Sequence, residues 1–256
     1  MDEKLHFADF SKELLDWYAV SARELPWRAG PAARAQGFRP DPYRVWMAEI
    51  MLQQTTVPHA TRYFLAFTER WPTVEALAAA DDADVMGAWA GLGYYARARN
   101  LLKCARAVTE LGAWPDTVDG LRALPGIGPY TAGAIAALAF GRRAAAVDGN
   151  VDRVFARLLA LKGAWKAEKI HLKSVVEALV PEDRPAEFAE GLMDLGATIC
   201  TPKSPNCLIC PVCSFCLARA EGAPERYPIK PKKSPKPKRL GHVYVLVGPD
   251  RTVLTE

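Results

Sequence analysis

No stretch of the 256-residue chain is long and apolar enough to span a bilayer, and no apolar segment stands ahead of the acidic start Met1-Asp2-Glu3. These gaps predict a protein with no membrane partner that works in a reducing compartment, where disulfides do not persist. The chain also lacks internal repeats of note. The basic excess sits in one acid-free stretch. Arg226 to Arg239, RYPIKPKKSPKPKR, carries seven basic residues and no acid, so the net charge of +4 is local and the remainder holds 26 basic against 29 acidic residues. Its prolines cannot continue a helix. Residues 226–240 therefore read as an extended basic tether, either a solvated linker or a phosphate contact.

Cysteine, by contrast, is concentrated. Five of the six fall in the run Cys200-TPKSPN-Cys207-LI-Cys210-PV-Cys213-SF-Cys216. With disulfides disfavoured, so dense and polar a run reads as a metal site. Zinc sites usually set two CxxC knuckles apart by a long insert, whereas here the gaps are six, two and five if Cys200, Cys207, Cys210 and Cys216 act together. That pattern favours a [4Fe–4S] cluster. Cys207, Cys210 and Cys213, each two residues from the next, would also serve, so spacing alone leaves the ligand set open.

At 50% hydrophobic residues, the chain can bury a substantial core in one large or two modest domains. Its alanine-rich texture predicts an all-α fold. Helices are expected over Asp9–Val20, Asp41–Gln54, Pro58–Arg70, Thr73–Ala80, Asp81–Ala90, Tyr94–Leu111 and Pro129–Phe140, most opening on a capping residue or a proline. Further helices are expected over Asn150–Lys162, about Lys166–Val180 and about Glu187–Ile199. After the tether the pattern changes to HVYVLV-GPD-RTVLTE, a β-hairpin. Two strands alone are not stable, so this hairpin reads as the start of a further unit.

Leu124-Pro125-Gly126-Ile127-Gly128-Pro129-Tyr130-Thr131-Ala132 lies between a short helix, about Thr117–Ala123, and one begun by Pro129. This is a helix-hairpin-helix pattern, in which Gly126 and Gly128 would let backbone N–H groups approach a phosphate. Two carboxylates also stand out. Glu49 shares a helix face with Val45, Trp46 and Leu52, so it is either paired with a base or held as a proton donor with a raised pKa. Asp148, in Val147-Asp148-Gly149-Asn150-Val151, reads as an N-cap whose donated N–H bonds should hold its pKa down. One protonated acid and one ionised carboxylate would suit cleavage of an N-glycosidic bond through an oxocarbenium-like state.

The stretches VWMAEIMLQQT (45–55), GLGYYARARNL (91–101), LPGIGPYTAGAI and VDGNVDRV resemble the MutY-type adenine DNA glycosylases of the helix-hairpin-helix base-excision superfamily. The cysteine gaps match that family's cluster loop, and the resemblance runs from Phe7 to about Arg239. It implies a monofunctional enzyme that flips adenine out of double-stranded DNA, opposite 8-oxoguanine or guanine, and hydrolyses it. On this reading Glu49 is the general acid that protonates adenine at N7. Asp148 stabilises the cationic sugar, while Tyr130 and Asn150 support Glu49 and orient the incoming group. Gln54, Leu92 and Tyr94 fill or wedge the base stack, each with a plainer reading as helix end, core or packing residue. Cys200, Cys207, Cys210 and Cys216 become the [4Fe–4S] ligands and Cys213 a spare thiol, with Lys203 near DNA phosphate. The basic row Arg97, Arg99, Lys103 and Arg106 would add phosphate contacts, or else form a solvated face.

The resemblance further implies two modules facing each other across a cleft. Residues 26–146 form a six-helix module with the hairpin; 1–25 and 147–225 form the cysteine module. Residues 241–256 resemble only the first hairpin of the family's Nudix-like, 8-oxoguanine-recognising domain, so weakened discrimination between 8-oxoguanine·A and G·A is expected. A monomer is expected, cytoplasmic and nucleoid-associated through DNA. The endonuclease III-like branch shares the fold but carries a nucleophilic lysine where this chain has Tyr130. Pro129–Phe140 contains no lysine, which argues against lyase chemistry. Thymine-mismatch glycosylases generally lack an acid matching Glu49. A non-catalytic Fe–S DNA-binding protein is disfavoured by the presence of both carboxylates.

Overall fold

Prolines and short polar side chains set most of the helix starts, because both suit the first turn and its unpaired N–H groups. The computed structural model describes residues 7–229 together with 240, 241, 245 and 247, and every regular element among them is helical. These are α1 (Phe7–Ser21), α2 (Pro31–Ala35), α3 (Pro42–Met51), α4 (Val57–Arg70), α5 (Val74–Ala78), α6 (Asp82–Ala88), α7 (Ala96–Leu111), α8 (Val118–Arg122), α9 (Pro129–Leu138), α10 (Gly149–Leu158), α11 (Trp165–Leu179), α12 (Pro185–Thr198) and α13 (Leu217–Ala220). Asp41, Thr73, Asp81, Thr117 and Asp148 each cap a helix by accepting a backbone N–H.

Three boundaries differ instructively from expectation. α3 stops at Met51 rather than running to Gln54, and α7 begins at Ala96 rather than Tyr94, because Gln54 (φ +60°) and Tyr94 (φ +50°) both occupy the left-handed region. The tether expected from residue 226 also starts later. Tyr227 is buried, its hydroxyl donating to Glu221 at 2.6 Å and its carbonyl accepting from Arg157 Nε at 3.3 Å. Most of the basic tether, from residue 230, and the expected hairpin lie outside the described residues.

Helices α3 to α9 pack among themselves, with α5 and α6 on α7, α8 on α9, and α3 between α4 and α9. Helices α1, α10, α11, α12 and α13 gather separately, and α9 against α12 joins the two groups. Phe10 anchors α1 in the second group, its ring 5.8 Å from Phe155, 6.4 Å from Phe188 and 5.8 Å from Phe215. Truncating so buried an aromatic costs about 3–5 kcal/mol and would loosen α10, α12 and the cysteine loop together. Two glycines set the seam. A Cβ on Gly133 in α9 would collide with the Ala145 carbonyl oxygen, and one on Gly196 in α12 would lie 2.6 Å from the Asn150 Cβ. Their absence lets the chain cross α9 closely and lays the first turn of α10 on α12, which delivers Asp148 to the seam.

Candidate active site

Glu49 lies on the inner face of α3 and is 5% exposed. It lines a cleft of about 350 Å³ with Tyr130 from α9, with Asp148 and Asn150 from the start of α10, and with Trp27, Arg28 and Glu190. Four residues from three elements thus converge as the resemblance implies. Burial pushes the Glu49 carboxyl up to about 7; a hydrogen bond from Tyr130 pulls it back less strongly, and the charge of Asp148 adds to the rise. At neutral pH a substantial fraction therefore carries a proton.

Asp148 is both cap and cleft residue. Its Oδ1 accepts the backbone N–H groups of Asn150 (2.9 Å) and Val151 (2.8 Å), while Oδ2 accepts from Asn150 Nδ2 at 2.9 Å. These bonds favour the ionised form, yet burial outweighs them and the pKa is raised above its ordinary 3.8. The expectation that capping would depress it is thus overturned: desolvation is the larger effect at this depth. The same three donors fix the carboxylate's orientation. Asn150 is held in turn, because its Oδ1 accepts from Arg153 Nη2 at 2.9 Å.

The inner wall holds charges that the sequence reading did not single out. Glu190 (1% exposed) accepts from the Tyr18 hydroxyl at 2.7 Å and from Arg34 at 3.3 Å. Asp194 (0%) takes Arg28 Nη1 at 2.9 Å and Arg23 Nε at 2.6 Å. The signal was present in PAEFAEGLMDLGA, where two acids four apart interrupt an otherwise apolar helix face. Buried acids demand partners, and three of the four arginines upstream of α3, Arg23, Arg28 and Arg34, supply them. Arg28 also faces Glu49, lowering its pKa, while Glu190 raises it.

The five clustered cysteines line one pocket with Arg157 and Arg219. Among the described residues no three His, Cys, Asp or Glu side chains are grouped as a shell for a single metal ion. Arg157, 2% exposed, donates to Cys200 Sγ at 3.2 Å and to the carbonyls of Thr201 and Pro202 at 2.7 and 3.1 Å. Arg153 links this loop to the cleft, giving Nε to the Cys200 carbonyl at 2.8 Å while Nη2 holds Asn150. Lys203 is exposed beside the loop.

Gln54 and Tyr94 are exposed, Tyr94 by 67%. Holding them in the left-handed region costs on the order of 1–3 kcal/mol each, a cost found where function fixes the backbone. Leu92 is packed in the core, 5% exposed, so its plainer reading holds and the wedge expected of it is corrected. Gly126 (φ +76°) would place a Cβ 2.7 Å from that of Asn100, whereas Gly128 caps α9 with open space before it. Arg97 and Arg106 are also corrected. Arg97 spends both Nη groups on backbone carbonyls, and Arg106, though exposed, donates to the Ala78 and Ala80 carbonyls and pairs with Asp82, which leaves Arg99 and Lys103 as the exposed members of the row whose charges are not so engaged.

A helical hairpin, α8 and α9 joined at Gly126 and Gly128, thus stands beside a cleft that holds two buried carboxylates in unlike surroundings. Residues 47–178 match the family model for "HhH-GPD superfamily base excision DNA repair protein". The chain is 44% identical over 216 residues to the adenine DNA glycosylase of Homo sapiens, covering 82% of this chain and 39% of that protein. It is 37% identical over 242 residues to that of Buchnera aphidicola subsp. Acyrthosiphon pisum, covering 93% and 67%. The chain thus spans from about two fifths to two thirds of these relatives' lengths. A thermostable thymine-DNA glycosylase superposes with a TM-score of 0.73 at 29% identity, covering 84% of this chain and 97% of that one. The chain belongs to the adenine DNA glycosylase family within the HhH-GPD superfamily.

Proposed function

We propose that the protein is a monofunctional glycosylase that extrudes adenine mispaired with 8-oxoguanine or guanine from duplex DNA and hydrolyses its N-glycosidic bond. The observation that carries this reading is the pair Glu49 and Asp148, buried in one cleft but made chemically unlike by their surroundings. Base extrusion is required because the glycosidic carbon is unreachable within the stack. Once adenine enters, protonated Glu49 donates to N7 and makes the base a neutral leaving group. Asp148, oriented by its three donors, stabilises the cationic sugar as the bond breaks. Glu49, now ionised, accepts a proton from the attacking water. Tyr130 stands where lyase chemistry would need an amine, so the abasic site is released uncut.

The cysteine pocket supports a [4Fe–4S] cluster held by Cys200, Cys207, Cys210 and Cys216. Thiol donors surrounding a space, rather than converging on a point, suit a cluster, and the Arg157 hydrogen bond at Cys200 Sγ suits a thiolate. When bound, the cluster would brace the loop that carries Lys203; hydrolysis transfers no electrons. The deciding experiment is single-turnover cleavage of duplexes carrying adenine opposite 8-oxoguanine, guanine or cytosine, with and without alkali. Adenine release from the first two, with strand breaks only after alkali, is expected. Strand breaks without alkali at the rate of base release would refute the monofunctional reading.

A further inference from the structure

Carbonyls from two separate turns converge on one guanidinium. Arg97 Nη1 donates to Ile50 (2.9 Å) and Gln53 (2.6 Å) at the end of α3, and Nη2 donates to Leu92 (3.0 Å) and Gly93 (3.3 Å) before α7. The residue that follows each held segment is a strained one. Gln54 follows Gln53 and Tyr94 follows Gly93, the two having φ of +60° and +50°. Both point outward, while the Arg97 guanidinium lies 5.3 Å from the Trp89 ring and 5.6 Å from the Tyr94 ring. A small hollow lined by Gln53, Arg97, Asn100 and Gly126 brings the helical hairpin to the same point.

Left-handed glutamine and tyrosine persist only where their surroundings over-determine them. Here the carbonyl immediately before each is held by the same planar group, so neither turn can relax without disturbing its neighbour. A phosphate contact is the competing role for a cationic side chain on this helix. Its geometry is unfavourable, because Nη1 and Nη2 are engaged and Nε is buried without a partner. Turning toward DNA would release both turns.

We propose that Arg97 is a positioning residue that locks the Gln54 and Tyr94 turns at one separation, so that both side chains enter the duplex together and hold the target base out. This rests on the glycosylase reading above, and Arg97 itself touches neither base nor sugar. Lysine cannot replace it, since a compact ammonium lacks the planar fork that spans two turns.

The test uses Arg97→Gln and Arg97→Lys in the full chain, each first matched to the parent in helix content and melting. Extrusion is read from the fluorescence of 2-aminopurine at the target position, and chemistry from single-turnover rates on adenine duplexes. Expected are a loss of extrusion signal and a fall in rate of roughly 10- to 100-fold, the usual consequence of a misplacement near 1 Å. The alkaline midpoint of the rate and the salt dependence of DNA binding should stay unchanged. In a Gln54→Ala/Tyr94→Ala background, Arg97→Gln should cost little more. A log–log salt slope reduced by about one would instead show a phosphate contact and overturn the proposal. So would a loss of full size in the doubly substituted background. If either variant fails to fold, Gln54→Gly and Tyr94→Gly, which relieve the strained φ, replace it in the same fluorescence assay; intact extrusion in both overturns the proposal. A parent protein that extrudes 2-aminopurine but releases no adenine refutes the glycosylase reading alone, whereas one that extrudes nothing removes both.

Discussion

Glu49→Gln should abolish base release and stabilise the protein, and the size of the second effect follows from burial. The carboxyl rises from 4.5 to about 7 on folding, so the native state binds a proton more tightly than the unfolded chain. Stability therefore falls as pH rises from 4.5 through about 7 and is constant beyond, because the unfolded state there releases a proton that the native state retains. At about 1.4 kcal/mol per unit, the wild type carries a penalty of about 3 kcal/mol above pH 7. Glutamine keeps a polar group opposite Tyr130 but has nothing to ionise. The variant should melt about 6–12 °C higher than wild type near pH 8, with the difference disappearing toward pH 4.5. Differential melting at matched scan rates between pH 4.5 and 8.5 measures this, alongside binding to an adenine·8-oxoguanine duplex, which should survive. A melting difference independent of pH would sink the argument, because it would mean that Glu49 does not take up its proton through burial.

Tyr130→Phe removes a hydrogen bond that lowers the Glu49 pKa, so the alkaline limb of the single-turnover rate should move to higher pH even as the maximal rate declines; a limb shifted downward would contradict the assigned direction. Arg153→Gln should slow base release by about tenfold, a typical loss for a supporting hydrogen-bond partner, with duplex affinity nearly unchanged. Equal rates in variant and wild type would show that the bridge from Cys200 to Asn150 does not matter. Cys213→Ser should retain the visible absorbance of an iron–sulfur cluster while Cys216→Ser loses it, and the reverse outcome would reassign the fourth ligand.

Elements whose cause is local could be read from the chain directly. Asp41-Pro42 announces α3, Gly128-Pro129 announces α9, and Asp148 announces α10 because capping depends on the residues alone. The convergence of Glu49, Tyr130 and Asp148 was accessible only through family resemblance, since α3, α9 and α10 meet by long-range packing. The pKa of Asp148 is not legible in the chain for a related reason: sequence reveals the N–H donors but not the depth of burial that opposes them. Arg97 and Leu92 show the limit most clearly. A cation on a basic helix and a leucine beside glycines are compatible with DNA contact, and only the positions of distant carbonyls and core neighbours decide otherwise.

The two carboxylates impose opposite demands on one cleft. Glu49 needs dryness to remain protonated, and dryness also raises the pKa of Asp148, which must stay ionised. The fold meets both demands mainly by giving Asp148 fixed donors, with the charge of Arg153 a smaller contribution. Two backbone N–H groups at the start of α10 and one side-chain amide favour its charge, while the arginines of the cleft wall are absorbed by Glu190 and Asp194. An unpaired arginine beside these groups would lower both pKa values together and strip Glu49 of its proton. The buried acids of α12 thus have a chemical consequence beyond stability: neutralising Glu190 or Asp194 would leave arginine charge uncompensated behind the cleft. Such a change should move the alkaline limb of the rate toward lower pH, the opposite direction to Tyr130→Phe.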